Sequence, residues 1–322
     1  MSLLNYIIRR IIIMIPLVLG ISFISFSIIH LAPGTPAMTL LGPKALDPEA
    51  VERVNANLGL DKPIYIQYFK WLWRIIRGDF GISIGLIPGM PVSNLIMRRI
   101  LPTLELTVSA MILSLIVAIP VGVISAVKQY SFFDHVATVG AFIGISTPNF
   151  WLALMLILVF SVELGWLPSS GMIDPRIVNP TIFDYLKHLI IPAFVLGTAG
   201  MAGLTRYVRA SMLEVLREDY IRTARAKGLS ERVVIYKHAL KNALLPLITI
   251  LGMSIPGFLS GAVLTETVCG WPGMGRLAVN AVFSRDYPVM MALVLIFGIL
   301  VIIGNLIADI IYAYVDPRIR YD

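Results

Sequence analysis

Residues 106–127 read LTVSAMILSLIVAIPVGVISAV, 22 residues without one Asp, Glu, Lys or Arg. At 1.5 Å per helical residue the run spans about 33 Å, and the hydrocarbon core of a bilayer is about 30 Å thick. A segment this long and this free of charge is expected to cross a membrane as a helix. Working outward, residues 11–31, 136–162, 243–265 and 289–308 share the property over 21, 27, 23 and 20 residues. Residues 189–205 form a shorter stretch of 17, rich in Gly and Ala, at the low end of what spans. Composition agrees: of 322 residues 57% are hydrophobic and 14% charged, whereas soluble domains have about 45–50% apolar and about 25% charged residues. A water-soluble globule is excluded, and the expectation is an all-α integral membrane protein with six transmembrane helices.

Arg9 and Arg10 precede the first span as they would a signal peptide. Its apolar run is longer than the h-region of such a peptide and no small-x-small cleavage site follows, so an uncleaved anchor is expected. Cys269 is the single cysteine, which excludes an intrachain disulfide framework. The formal charge of +7 fits either nucleic-acid binding or membrane orientation, and its distribution decides. With the N-terminus inside, the inner pieces hold 14 of the 26 Lys and Arg, the two short outer loops hold four, and the long first loop holds eight. This bias places both termini in the cytoplasm and leaves no argument for nucleic acid. Arg98 and Arg99, outside yet close to the second span, are the local exception.

The chain divides into an N-terminal segment and first span (1–31), an extracytoplasmic region (32–101), a five-helix core (102–315) with a cytoplasmic loop at 206–245, and a cytoplasmic tail (316–322). The outer region contains Pro33-Gly34-Thr35-Pro36, a short helical stretch from Asp47 with Pro48 as its first residue, and the aromatic set Tyr65, Tyr68, Phe69, Trp71 and Trp73. Tyr and Trp collect at membrane interfaces. The region reads as an interfacial cap or as a contact for a delivered ligand or partner.

In the inner loop Val208, Met212, Val215, Leu216, Tyr220 and Ala224 recur at three- and four-residue spacing, one apolar stripe on an otherwise charged helix. Gly228 suits the position after a helix end, where positive φ is needed, and Ser230 suits the N-cap of a second helix running towards Asn242. The result is a basic elbow with Leu229 at its tip and Val233 and Val234 beyond. It reads as a solvated loop or, given these apolar residues, as a knob for a groove on a partner protein.

The run Arg222-Thr223-Ala224-Arg225-Ala226-Lys227-Gly228-Leu229-Ser230, followed by His238-Ala239-Leu240-Lys241-Asn242-Ala243-Leu244-Leu245-Pro246, resembles the EAA loop of ABC importer permeases of the dipeptide, oligopeptide and nickel group. Gly78-Asp79-Phe80-Gly81, Leu101-Pro102-Thr103-Leu104-Glu105-Leu106, Thr147-Pro148-Asn149-Phe150-Trp151, Gly165-Trp166-Leu167-Pro168, Glu266-Thr267-Val268, Gly270-Trp271-Pro272-Gly273, Arg285-Asp286-Tyr287-Pro288 and Asp316-Pro317-Arg318-Ile319-Arg320 are similar to that group's B-type subunit. Two positions depart from the general motif. Its leading Glu corresponds to Arg222 and its closing Pro to Lys241, so no role of the Glu carboxylate carries over. The resemblance implies a type I ABC importer permease fold in a bacterial or archaeal cytoplasmic membrane. It also implies an elbow of Arg222, Thr223, Ala224, Arg225, Lys227, Gly228, Leu229, Ser230, His238 and Lys241 that couples to ATPases. The implied partners are a homologous second permease, two cytoplasmic ATPase subunits and an extracytoplasmic binding protein. The implied cargo is a dipeptide or oligopeptide, with nickel, glutathione or oligosaccharide as alternatives within the class.

No G-x-x-x-x-G-K-[ST] run is present to cradle nucleotide phosphates, so ATP and Mg are expected on partner subunits, with no cofactor in this chain. His30, His135, His188 and His238 are scattered without carboxylate spacing, and no metal site or catalytic motif is expected. Charged groups inside a membrane default to a functional reading. Asp309 reads as helix packing or ion relay, and Glu105 and Glu266, at the outer ends of their spans, as solvated groups or gate. A self-sufficient secondary transporter or channel would need paired charges deep in the spans, and an intramembrane enzyme a catalytic pair; neither pattern is present. Pro16, Pro120, Pro148, Pro192 and Pro256 are expected to interrupt five spans. Around two of these bends Ser146, Thr147, Pro148 and Asn149, and Ser254 and Pro256, either pack helices or line a translocation path, to which Glu266 is the third candidate contribution.

Overall fold

The computed structural model describes residues 3–31, 47–49, 51–52, 55, 61–244, 246–247, 250–254 and 262–315, with side chains except at 3–8, 10, 11, 28–31 and 309–315. The first expected span lies in α1 (Leu3–Leu31), in which Pro16 is accommodated without a break. A short amphipathic helix, α2 (Ile64–Ile76), packs on α1 through Tyr68, whose hydroxyl lies 2.8 Å from Ser22 Oγ. The second span is part of α3 (Val92–Val127), 36 residues that begin inside the stretch expected as outer loop and continue through Pro102 and Pro120.

The third expected span, 136–162, is not one helix. α4 (Phe132–Ser146) and α5 (Asn149–Leu156), the latter extended by wide π-type turns over Ile157–Glu163, meet at 104°. Thr147 has an extended backbone (φ −82°, ψ 122°), because the ring of Pro148 disfavours the helical conformation in the residue before it. Pro148 then stands as the N-cap of α5, where its missing N–H costs nothing. Of the five prolines expected to interrupt spans, Pro148 alone breaks a helix among the described residues. Pro16, Pro120 and Pro192 sit inside continuous ones, and Pro256 lies outside the described residues.

The fourth span is far longer than its 17 apolar residues. α6 (Ile182–Val215) has 34 residues, about 51 Å. Thr181 and Asp184 close a reciprocal capping box at its start, with the Thr181 N–H donating to Asp184 Oδ2 at 2.9 Å. The apolar stripe expected on one helix through Ala224 is divided between two. After Val215 the N–H groups of Arg217 and Glu218 bond three residues back, Glu218 turns extended, and α7 (Asp219–Ala226) begins. The turn folds Ile221 and Ala224 back onto Val208 and Met212, and these four make one buried cluster with Val123, Val234 and Leu247. Tyr220 is left exposed, and Ile221 takes the buried position. The chain continues as α8 (Glu231–Val233), π-type turns over Val234–Ala239, and α9 (Leu240–Ala243). The fifth span, 243–265, is described only in part, at 243–244, 246–247, 250–254 and 262–265. Beyond it come α10 (Val263–Val268), α11 (Met274–Phe283) and α12 (Tyr287–Val315), which packs against α1 and contains the sixth. Among the described residues α3, α6 and the part of α12 at Tyr287–Ala308 have the length and apolarity of a span, with a fourth if the bent pair is counted as one.

α3 and α6 form the most extensive helix pair, and small residues permit it. A Cβ on Gly122 would stand 2.8 Å from Val208 Cβ and 2.9 Å from the Thr205 carbonyl oxygen. Ser114 Oγ donates across the pair to the Gly197 carbonyl at 2.9 Å. Gly122→Ala is expected to destabilise the fold by about 1–3 kcal/mol through overpacking. Its denaturation midpoint in micelles checks this; a midpoint equal to that of the parent protein contradicts the close approach.

Candidate translocation cavity and coupling elbow

A cavity of about 580 Å³ opens between α3, α6 and the 250–254 segment. Thr107 and Ser114 line it from α3, Gly197, Gly200 and Tyr207 from α6, and Ser254 from the far wall. Among the described residues, none of its lining is charged. Its Thr and Ser hydroxyls are already engaged: Thr107 Oγ1 donates to Thr103 O at 2.9 Å and Ser254 Oγ to Ile250 O at 2.8 Å within their own helices, and the one Ser114 proton is shared between Ala110 O at 2.7 Å and the Gly197 carbonyl across the pair. Such walls offer shape and a few weak polar contacts.

Of the residues expected on a path, Ser254 lines this cavity. Ser146 and Pro148 are exposed at the α4–α5 bend, with Thr147 and Asn149 half-buried there. Glu266 is elsewhere and fully buried: it accepts from Thr103 Oγ1 at 2.8 Å and from the Arg276 N–H at 3.0 Å. Thr103 in turn accepts from the Met274 N–H at 2.8 Å, and Trp271 Nε1 donates to the Pro102 carbonyl at 2.8 Å. This clasp fastens the 266–276 loop to α3, and Gly273 makes room for it, since a Cβ there would stand 2.3 Å from the Glu266 carboxylate. Glu105, also weighed as a gate, accepts from the Tyr185 hydroxyl at 2.7 Å.

The elbow is built as expected at Gly228 and differently beyond it. Gly228 has φ +78°; its N–H bonds Arg225 O and the Leu229 N–H bonds Ala224 O, the two bonds of a Schellman motif closing α7. Ser230 precedes α8 in extended conformation, but its side chain caps nothing; Arg225 Nε pairs instead with Glu231 Oε1 at 2.8 Å. Val234 is buried, so the apolar tip consists of Leu229 and Val233. Arg222 pairs with Asp219 at 3.2 Å, Thr223 Oγ1 donates to the Asp219 carbonyl, and Ala224 is buried. Lys227 and Lys241 are exposed and His238 half-buried, and Asn242 Nδ2 donates to the Tyr220 hydroxyl at 3.0 Å, tying the two arms together.

A buried ion pair above the elbow was not anticipated from the sequence. Asp134, 3% exposed, takes a two-pronged contact from Arg209, with Nε to Oδ1 at 2.6 Å and Nη2 to Oδ2 at 2.7 Å. Ser125 Oγ and the Tyr130 N–H complete its shell at 2.6 and 2.9 Å. The guanidinium holds the Asp134 carboxyl well below the usual carboxylate range, with the Ser125 and Tyr130 bonds acting the same way. The pair joins the α3–α4 turn to α6 about two turns before the elbow. Ser131, the N-cap of α4, stands three residues before Asp134, the one sequence signal for this site.

Two family models match the chain: "Binding-protein-dependent transport system inner membrane component" over residues 118–321, and the corresponding N-terminal model over residues 3–93. The chain is 52% identical over 316 residues to the oligopeptide transport system permease protein AppB of Bacillus subtilis, covering 98% of this chain and 99% of that one. It is 43% identical over 338 residues to the dipeptide transport system permease protein DppB of Escherichia coli, with 99% of each covered. The glutathione transport system permease protein GsiC of Escherichia coli is 42% identical over 318 residues, again with 99% of each covered. Among solved structures, inward-facing MetNI methionine ABC transporter matches with a TM-score of 0.55 at 20% identity, covering 69% of this chain and 96% of that one. The chain thus belongs to the binding-protein-dependent transport system inner membrane component family and is a multi-pass permease subunit of an ABC importer.

Proposed function

We propose that this permease conducts dipeptides or oligopeptides across a bacterial or archaeal cytoplasmic membrane by alternating access, driven by ATP hydrolysed, with Mg, on two partner ATPase subunits. A homologous second permease completes the passage, and an extracytoplasmic binding protein delivers the cargo. The chain needs no cofactor of its own, and both termini are cytoplasmic. The observation that carries this reading is the uncharged cavity whose wall, α6, runs unbroken to the elbow. Walls without charge suit peptides of varied side chains, and relatives named for peptide transport support that cargo. A coupling role requires that elbow contacts differ between the two access states.

The test is Gly228→Val. Open space surrounds the position, so the change acts through φ +78° alone, a conformation costing a β-branched residue about 1–2 kcal/mol or more. The Schellman closure is expected to open, leaving the protein inserted while ATP-dependent peptide uptake falls to about a tenth or less. Unchanged uptake overturns the coupling assignment.

A further inference from the structure

The break between α4 and α5 leaves backbone groups open. Among the described residues no donor reaches the carbonyls of Gly144, Ile145 and Ser146 at the end of α4. No acceptor among them reaches the N–H groups of Asn149, Phe150 and Trp151 at the start of α5, which has no side-chain cap. The Thr147 N–H and hydroxyl both go to the Ile143 carbonyl. The Ser146 and Asn149 side chains have no bonding partner among the described residues either. Ser146 is exposed, as are Ile145, Phe150 and Trp151 at 47%, 47% and 49%.

Helix ends in water leave the same groups to the solvent; the depth of these ends makes the difference. Gly144 sits against α6, where a Cβ would stand 3.3 Å from Thr198 Cγ2 and 3.4 Å from Ala202 Cβ. Thr198 is nine residues after Leu189 and seven before Thr205, the ends of the fourth apolar stretch, about 13 Å and about 10 Å along the helix. The bend therefore lies near the middle of the bilayer. Irregular backbone persists at that depth only against protein or beside a water-filled cavity, because hydrocarbon offers it no bonds. The cavity described above is not that water. None of residues 144–151 lines it, and its α6 residues are on another side of the helix. At 100° per residue, Gly200 is about 160° round from Thr198 and Tyr207 about 140° round from Ala202. A soluble partner on either face of the membrane does not reach the bend. Its cover must itself be embedded and must carry hydrogen-bonding groups.

We propose that the α4–α5 bend is a contact surface for the second permease subunit. Polar groups of that subunit pair with the open carbonyls and N–H groups, and its apolar side chains cover Phe150 and Trp151. Ser146 and Asn149 gain partners that hydrocarbon does not supply, as polar side chains between membrane helices do. The inference rests on the two-permease reading given above and is independent of the cargo.

The experiment uses the assembled transporter in its own membranes, with p-benzoylphenylalanine in place of Phe150, an exposed position that admits the larger ring. Irradiation is expected to shift this chain to the summed mass of the two permeases, with the adduct identified by mass spectrometry. A second preparation carries Ser146→Cys; Cys269 is buried, so the introduced thiol reads alone. A charged, water-soluble thiosulfonate is expected to leave it unmodified in the assembled transporter and to modify it once detergent has separated and unfolded the subunits. Adducts with lipid alone, adducts within this chain, or no protein adduct overturn the proposal. So does rapid modification of the thiol in the assembled transporter, the mark of a bend that faces a water-filled passage. Whether a second permease co-purifies is measured separately. Its absence overturns the two-permease reading, whereas its presence without an adduct at position 150 overturns this surface alone.

Discussion

Arg209→Met is expected to destabilise the folded chain by about 3–5 kcal/mol, because it leaves Asp134 buried and charged without its partner. The size follows from the geometry. Both carboxylate oxygens are occupied by one guanidinium at 2.6 and 2.7 Å, and the aspartate is 3% exposed. Asp134→Leu combined with Arg209→Met removes both charges and should recover most of the loss, so a double-mutant cycle measured by unfolding in micelles gives a large coupling energy. Additive single losses would mean that the pair contributes no mutual stabilisation. The pH dependence has a definite sign. The carboxyl titrates lower in the folded protein than in the unfolded chain, whose aspartates titrate near pH ~4. Its contribution is therefore complete above about pH 4 and is lost as pH falls through the depressed value. Titration from pH 7 to pH 5 should leave this contribution unchanged.

Glu266→Leu is expected to lower stability by about 3 kcal/mol, an effect on folding first and on transport second. The substitution strands the partly buried Arg276 N–H and deprives the buried Thr103 hydroxyl of its acceptor. Glu266→Gln keeps the shape and one acceptor oxygen, and should cost about half as much. Comparing unfolding midpoints with uptake at matched amounts of folded protein separates a clasp from a gate. If Glu266→Gln unfolds like the parent yet transports nothing, the carboxylate serves the passage and not the loop.

Apolar run length carried the membrane class and most span positions, because burial in hydrocarbon leaves a composition that no surface helix shows. It could not give helix ends. α6 extends seven residues before and ten beyond its apolar stretch, since caps and polar turns, not hydropathy, stop a helix. Gly228 was legible because positive φ singles out glycine, and Pro148 because of its restriction on Thr147. Which prolines would break their helices was not, as Pro120 and Pro192 lie in the same kind of apolar run but inside the tightly packed α3–α6 pair. The Asp134–Arg209 pair joins residues 75 apart in the chain, and no local pattern reports a contact of that range. Ser254 could be placed near a bend from its neighbours, but its position on a cavity depends on how three segments meet.

The unbroken course of α6 has a mechanical consequence. Gly200, on the cavity wall, and Leu216, at the base of the elbow, are separated by sixteen residues with no proline between them. That is a stiff lever of about 24 Å, on which a 5° tilt about its cytoplasmic end carries the wall sideways by about 2 Å. No hinge between the two points absorbs the stroke. If the elbow is pushed, the displacement reaching the cavity wall is therefore set by the length of α6 and by how firmly the Val208–Met212–Ile221–Ala224 cluster ties the elbow to its end.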